Sequence, residues 1–146
     1  MFADFLKRLT APEPETLPDA DARLALTALL VRVARSDGVY DEYESTRIDR
    51  IVCTRYGLSP FEGARLRADA EQLEAEAPDT VRFTRAIKDA VRYEDRIAVI
   101  ESLWQVALAD GARDAQEDAL LRLVSNLLGI SDRDSALARQ RVERET

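Results

Sequence analysis

The sequence lacks histidine altogether and has one cysteine, Cys53, and only five glycines and five prolines among 146 residues. Without histidine, the chain has neither the commonest general base nor the commonest zinc ligand. A single cysteine cannot form an intramolecular disulfide, and no histidine is present to activate it, so we interpret Cys53 as a small core or helix residue. These absences argue against histidine- or cysteine-dependent enzymes and exclude a soft-metal site.

An excess of positive charge is also missing, because Lys+Arg 21 against Asp+Glu 28 gives a net charge of −7. Nucleic-acid binding needs clustered Lys and Arg to neutralise phosphates, so we predict that the chain binds no nucleic acid. No apolar run is long enough to span a bilayer, and the first residues lack the basic and apolar regions of a signal peptide. We therefore expect a cytoplasmic protein.

Helix-forming residues are abundant, since Ala, Leu, Arg and Glu dominate the composition. No stretch alternates apolar and polar residues for long enough to predict a strand. The length fits one domain. We predict an all-α fold, a helical bundle of about seven to eight helices.

The first 18 residues differ from the remainder of the chain. Apolar residues recur there at helical spacing: Phe2, Phe5, Leu6 and Leu9. Three prolines between residues 11 and 18 then forbid a continuous helix. We assign residues 1–18 to a short amphipathic N-terminal helix plus a Pro-rich linker, and residues 19–146 to the helical domain. The short helix either docks on the domain's own core or makes a peripheral membrane or partner contact through residues 1–9.

One motif, A-x-x-D-G-x-x-D-x-x-E, occurs twice, beginning at Ala34 and at Ala107. Flanking apolar residues match at the same offset of 73, and a Gly-apolar-Ser sequence ends each copy after one residue is dropped. The pattern predicts two duplicated helix–turn–helix units, at about 24–59 and 97–131. The helix after Ser59 has few apolar residues, so we expect it at the edge of the bundle. Its candidate contacts are Ala64, Leu66, Ala70 and Leu73.

Three carboxylates lie at each repeat, in what we call the first acidic turn (residues 37–44) and the second acidic turn (residues 110–117). They are Asp37, Asp41 and Glu44, and Asp110, Asp114 and Glu117. The spacing matches the second half of an EF-hand loop, but Val33 and Arg35 stand where the first copy needs its initial ligands, so neither turn is an EF-hand. Three carboxylates can still hold a hard divalent cation such as Ca²⁺, Mg²⁺ or Mn²⁺.

Helix capping offers a second explanation for the same residues. Gly38 suits the C-terminal end of one helix, and Asp41 with Glu44 has the spacing of a capping box at the start of the next. Capping does not explain Asp37 and Asp110, because a negative charge at a helix C-terminus opposes the helix dipole.

The region from about Leu24 to Val142 resembles the TerB-like (tellurite-resistance) domain family. The residues that carry the resemblance are the two copies of the motif, with Gly57-Leu58-Ser59, Leu103-Trp104 and Leu128-Gly129-Ile130-Ser131. The resemblance implies an all-helical, non-catalytic binding or scaffold module of a bacterial stress or tellurite-resistance system. It also implies assembly at the inner face of the membrane with a TerC-type integral membrane protein, and a metal-binding role for the six acidic residues named above.

The sequence therefore leaves three hypotheses for the function of the protein. The leading hypothesis is a cytoplasmic interaction module whose acidic turns bind a divalent cation or a basic partner surface. The second is a purely structural interaction domain whose acids only cap helices. The third is a carboxylate-dependent hydrolase, which would require one carboxyl group with a raised pKa in a closed pocket. No organic cofactor is predicted.

Overall fold

A computed structural model describes residues 4, 6–7, 19–35, 40–77, 79–108 and 115–145; the side chains of residues 19, 106, 115–117 and 120 are outside this description. All regular secondary structure within the described part is α-helical, which confirms the predicted fold class. The numbered helices are α1 (Asp19–Arg35), α2 (Glu42–Tyr56), α3 (Pro60–Glu76), α4 (Thr80–Ala90), α5 (Tyr93–Ala107), α6 (Ala115–Leu127) and α7 (Asp132–Glu145).

Helix α1 lies at the centre of the bundle and contacts every helix from α2 to α6. Its apolar residues cover more than one face, and Ala25 to Val31 are all buried. The one polar residue in that run, Thr27, donates its hydroxyl hydrogen bond to the Arg23 carbonyl at 2.7 Å. This local bond lets a hydroxyl lie in the core without a buried, unsatisfied donor.

Several helix ends lie at the capping residues and glycines that the sequence predicts. Gly57 ends α2 with φ 65°, the left-handed conformation that suits glycine. Ser59 and Glu62 form a complete capping box at the start of α3, each side chain accepting the other residue's backbone N–H. Gly129, with φ 73°, follows α6 in the same way. The predicted end at Gly38 lies outside the described residues.

The second half of the chain has the same order of helices as the first. Helix α1 packs most extensively on α3, and α5 packs most extensively on α7. In the register of the sequence repeat, α5, α6 and α7 correspond to α1, α2 and α3. This arrangement is compatible with duplicated units, and the duplication itself stays a prediction.

Helix α3 has more contacts than its few apolar residues predict. Ala70 and Leu73 are fully buried, as expected, but Gly63 and Glu74 are buried as well. Gly63 faces α2, where a Cβ would lie far inside van der Waals contact of the Cys53 sulfur. The absence of a side chain at Gly63 therefore allows α2 and α3 to approach closely.

Of the N-terminal segment, Asp4, Leu6 and Lys7 are described, and they are helical. Leu6 is half-buried and packs against the core, as expected for a helix docked on its own domain. Whether residues 1–9 also contact a membrane stays open as a prediction. No helix in the described part of the chain is long and apolar enough to cross a bilayer.

The close approach at Gly63 predicts that Gly63→Ala changes the free energy of unfolding in opposite directions in the presence and absence of the Cys53 sulfur. In the otherwise unchanged protein, Gly63→Ala should lower the free energy of unfolding by roughly 1 kcal/mol, because overpacking outweighs the better helix propensity of alanine. In a Cys53→Ala background the obstructing sulfur is gone, and the same change should raise the free energy of unfolding. Urea denaturation of the four proteins measures both effects. An effect of the same sign in both backgrounds would contradict this account.

Candidate functional site

Two of the six candidate acids, Asp41 and Glu44, belong to the described part of the chain. Asp37, Asp110 and Asp114 lie outside the described residues, and so does the side chain of Glu117. Within the described residues, no group of three or more His, Cys, Asp or Glu side chains is placed to hold a metal ion. The structure therefore describes residues 40–44 of the first acidic turn. The assignment of the six acids as metal ligands stays a prediction.

Asp41 is the N-cap of α2. Its carboxylate Oδ1 accepts the backbone N–H of Glu44 at 3.1 Å, and its side chain is exposed. This is the hydrogen bond that the capping explanation predicts, and it satisfies a backbone donor that would otherwise lack a partner in the first turn.

Glu44, three residues later, is buried and only 7% exposed. The equivalent residue at the start of α3, Glu62, is exposed, accepts the Ser59 N–H at 2.9 Å, and has its pKa lowered by that backbone bond. Two glutamates at the same position of two helix starts therefore have opposite environments. Capping alone does not require burial, because Glu62 caps α3 from the surface.

Helix α3 holds the end of α1, two residues before the first acidic turn. Arg35, the last residue of α1, donates to the buried Glu74 carboxylate, with 2.9 Å between Arg35 Nη1 and Glu74 Oε2. Arg32, one turn earlier, approaches the other oxygen at 2.8 Å. The Arg32 guanidinium also donates to the Glu74 carbonyl at 3.2 Å and to the Thr80 hydroxyl at 3.1 Å. We call Arg32, Arg35 and Glu74 the Glu74 clamp.

Tyr40 lies on the other side of residues 36–39 and is also held against α3. Burial and then the neighbouring Glu71 carboxylate raise the pKa of Tyr40 well above its ordinary value. The Arg35 guanidinium lies 5.0 Å from the centre of the Tyr40 ring. Both ends of this undescribed stretch are therefore positioned by one face of α3.

The Glu74 clamp and Tyr40 were not predicted from the sequence, because none of their residues is one of the acids of the repeated motif. A signal for the clamp was present in the spacing: Arg32 and Arg35 are three residues apart in the last turn of α1, and Glu71 and Glu74 are three residues apart on α3. Pairing the two helices correctly, however, required knowing that α1 packs on α3.

Comparison with known proteins adds one finding. A family model described as tellurite resistance protein TerB matches residues 23–140, which is most of the chain. No curated protein and no solved structure matches it significantly.

The geometry of the Glu74 clamp predicts a large effect of charge removal. Glu74→Gln should lower the free energy of unfolding by about 2 kcal/mol, because it leaves Arg32 largely buried without its carboxylate. Glu76→Gln, an exposed change on the same helix, is the matched control and should stay within about 0.5 kcal/mol. Urea denaturation compares the two variants, and equal effects would show that the clamp contributes little.

Proposed function

Because the chain belongs to the TerB family of tellurite resistance proteins, we propose that it works as a non-catalytic binding module in a tellurite- or stress-resistance system. The association with tellurite resistance comes from the family. The binding role is our proposal, and it is supported by the residues that the chain offers for chemistry.

The types of reactive side chain present in the chain favour a binding role over a catalytic one. The chain has no histidine, and its one cysteine lies against Gly63 between two packed helices. A carboxylate-dependent hydrolase would need an acid with a raised pKa in an enclosed site. The buried Glu74 carboxylate is instead engaged by two arginines, Arg32 on one oxygen and Arg35 on the other.

We propose a divalent cation, Ca²⁺, Mg²⁺ or Mn²⁺, as the ligand of the acidic turns. The observation that carries this proposal is the burial of Glu44 at the end of the first acidic turn. Its carboxylate belongs to a set of three whose other members, Asp37 and Asp41, provide further oxygen ligands nearby in the sequence, and hard divalent cations bind such oxygen ligands. The Glu74 clamp and Tyr40 would hold the turn in place while the ion enters.

The purely structural alternative rests on Asp41, whose hydrogen bond to the Glu44 N–H caps α2 with no ligand present. On that view Glu44 is a buried structural group. The two views make opposite predictions for a variant that keeps the size of the side chain and removes its charge.

Glu44→Gln distinguishes these views when its stability is measured with and without metal. If Glu44 is a ligand, millimolar Ca²⁺, Mg²⁺ or Mn²⁺ should stabilise the unchanged protein, by about 2.7 kcal/mol for a site at one hundred times Kd. The same ions should stabilise Glu44→Gln less, because only the second acidic turn keeps all its ligands. The amide resonances of Gly38 and Gly111 should shift in the same titration. Glu42→Gln, an exposed change in the same first turn, is the control and should respond like the unchanged protein. Metal-independent stability in all three proteins would favour the structural alternative.

The partner we propose is a TerC-type integral membrane protein at the inner face of the membrane. This partner comes from the family resemblance, and the N-terminal segment is the part of the chain that we propose to contribute to the contact. Leu6 already packs against the core, so an amphipathic helix here would use its remaining face for the partner.

Flotation with lipid vesicles tests this contact. The chain should float with vesicles that contain the TerC-type protein and should not float with protein-free vesicles of the same lipids. Deleting residues 1–9 should reduce flotation while the circular dichroism of the helical domain is kept. The control variant Leu6→Ala removes only the core contact and should reduce stability more than flotation. Unchanged flotation after the deletion would exclude this segment from the contact.

A further inference from the structure

A pocket of about 350 Å³ opens between α5, α6 and α7, away from the Glu74 clamp. Helix α5 contributes Trp104, α6 contributes Arg122 and Ser125, and α7 contributes Ser135 and Arg139. Two further residues of the lining are acidic: Asp118 and Asp132. The volume is within the range of small-molecule sites in proteins.

At the corresponding place in the first half of the chain, an arginine is ion-paired with two acids. There Arg67 of α3 lies 2.6 Å from Asp49 of α2 and 3.1 Å from Glu71 of its own helix. In the repeat register Arg139 corresponds to Arg67, and Glu143 corresponds to Glu71. The second pair is kept, because Arg139 Nε lies 3.2 Å from Glu143 Oε1.

The first pair is not kept, because Arg122 stands at the position that corresponds to Asp49. Two arginines, Arg122 and Arg139, therefore line the pocket where the first half has one arginine and one acid. Arg122 makes no ion pair with any residue in the described part of the chain. The second half has lost a carboxylate at this place and gained a positive charge.

The residues packed beneath Arg122 and Arg139 are also more polar than their counterparts in the first half. At the offset of 73 that pairs Asp49 with Arg122, Ser125 corresponds to Val52, and both residues are buried. Ser135 corresponds to Gly63. A valine and a glycine of the first half are thus replaced by two residues that carry hydroxyl groups.

These hydroxyls form a buried polar base for the pocket. Ser125 and Ser135 are 1% and 8% exposed, with 3.2 Å between their oxygens, and the Trp104 indole N–H donates to Ser135 at 3.3 Å. Because the indole donates and one hydroxyl is used between the two serines, one hydroxyl proton remains to be donated. The Arg139 guanidinium lies 5.7 Å from the Trp104 ring, which fixes its position above this base.

We propose that this pocket binds a small carboxylate that also carries a hydrogen-bond donor, the chemistry of an amino acid or a hydroxy acid. Its carboxylate supplies the negative charge that Asp49 supplies in the first half, between Arg122 and Arg139. Its donor group faces the acidic side of the pocket, formed by Asp118 and Asp132. A ligand with negative charge alone would be repelled on that side.

The fluorescence of Trp104 tests the proposal directly, since it is the only tryptophan in the chain and lines the pocket. The probes are glycine, lactate, acetate and inorganic phosphate, each titrated as its sodium or neutral form against sodium chloride of equal ionic strength. Glycine or lactate should change the fluorescence saturably and raise Tm. Acetate and phosphate should bind at least tenfold more weakly, because acetate has no donor and phosphate carries more negative charge.

Arg122→Asp is the decisive variant, because it restores the acid that the first half has at Asp49 and supplies a partner for Arg139 within the chain. It should keep or raise Tm and lose at least tenfold in affinity for glycine or lactate. Arg133→Asp, the same charge change at an exposed position of α7 outside the pocket lining, is the matched control and should bind normally.

Three results would overturn the proposal. The first is the absence of a saturable response to both glycine and lactate in the unchanged protein. The second is equal binding by Arg122→Asp and Arg133→Asp. The third is a response that sodium chloride reproduces at the same ionic strength, which would reduce the effect to screening of the two arginines.

Discussion

The burial of Glu74 is the constraint on which the first half of this molecule depends. A carboxylate with 7% of its surface exposed needs opposite charge and hydrogen bonds, and Arg32 and Arg35 supply both. These bonds join the last turn of the central helix to α3, and Arg32 extends the network to Thr80 at the start of α4. One acid therefore joins three helices, and it holds Arg35, the last residue of α1 before the first acidic turn.

Close packing of α2 against α3 adds to the contacts that the Glu74 clamp makes between α1 and α3. Gly63 lets α2 approach α3, and Arg67 of α3 pairs with Asp49 of α2. Helix α3 thus binds α1 and α2 at once, although its hydrophobic residues are few. Charged and small residues provide this helix with contacts that an apolar face would provide elsewhere.

The second half has the same order of helices and different chemistry between them. Serines occupy the positions of Val52 and Gly63, and an arginine occupies the position of Asp49. The first half pairs Arg67 with Asp49 and Glu71, whereas in the second half Arg122 and Arg139 line a pocket. In our proposals the acidic turns serve a cation and this pocket serves a small carboxylate, so one fold carries two sites of opposite charge.

The amino-acid sequence by itself determined the helical class, most helix ends and the centre of the bundle. These follow from local rules: capping by Asp41 and Ser59, left-handed glycines at Gly57 and Gly129, and the wide apolar face of α1. The tertiary structure alone decided that Glu44 is buried while Glu62, at the same position of its helix, is exposed. It also decided that Glu74 meets two arginines some forty residues away. Local spacing specifies which residues share a helix face, but the partner of that face depends on how the helices pack, and no single helix contains that information.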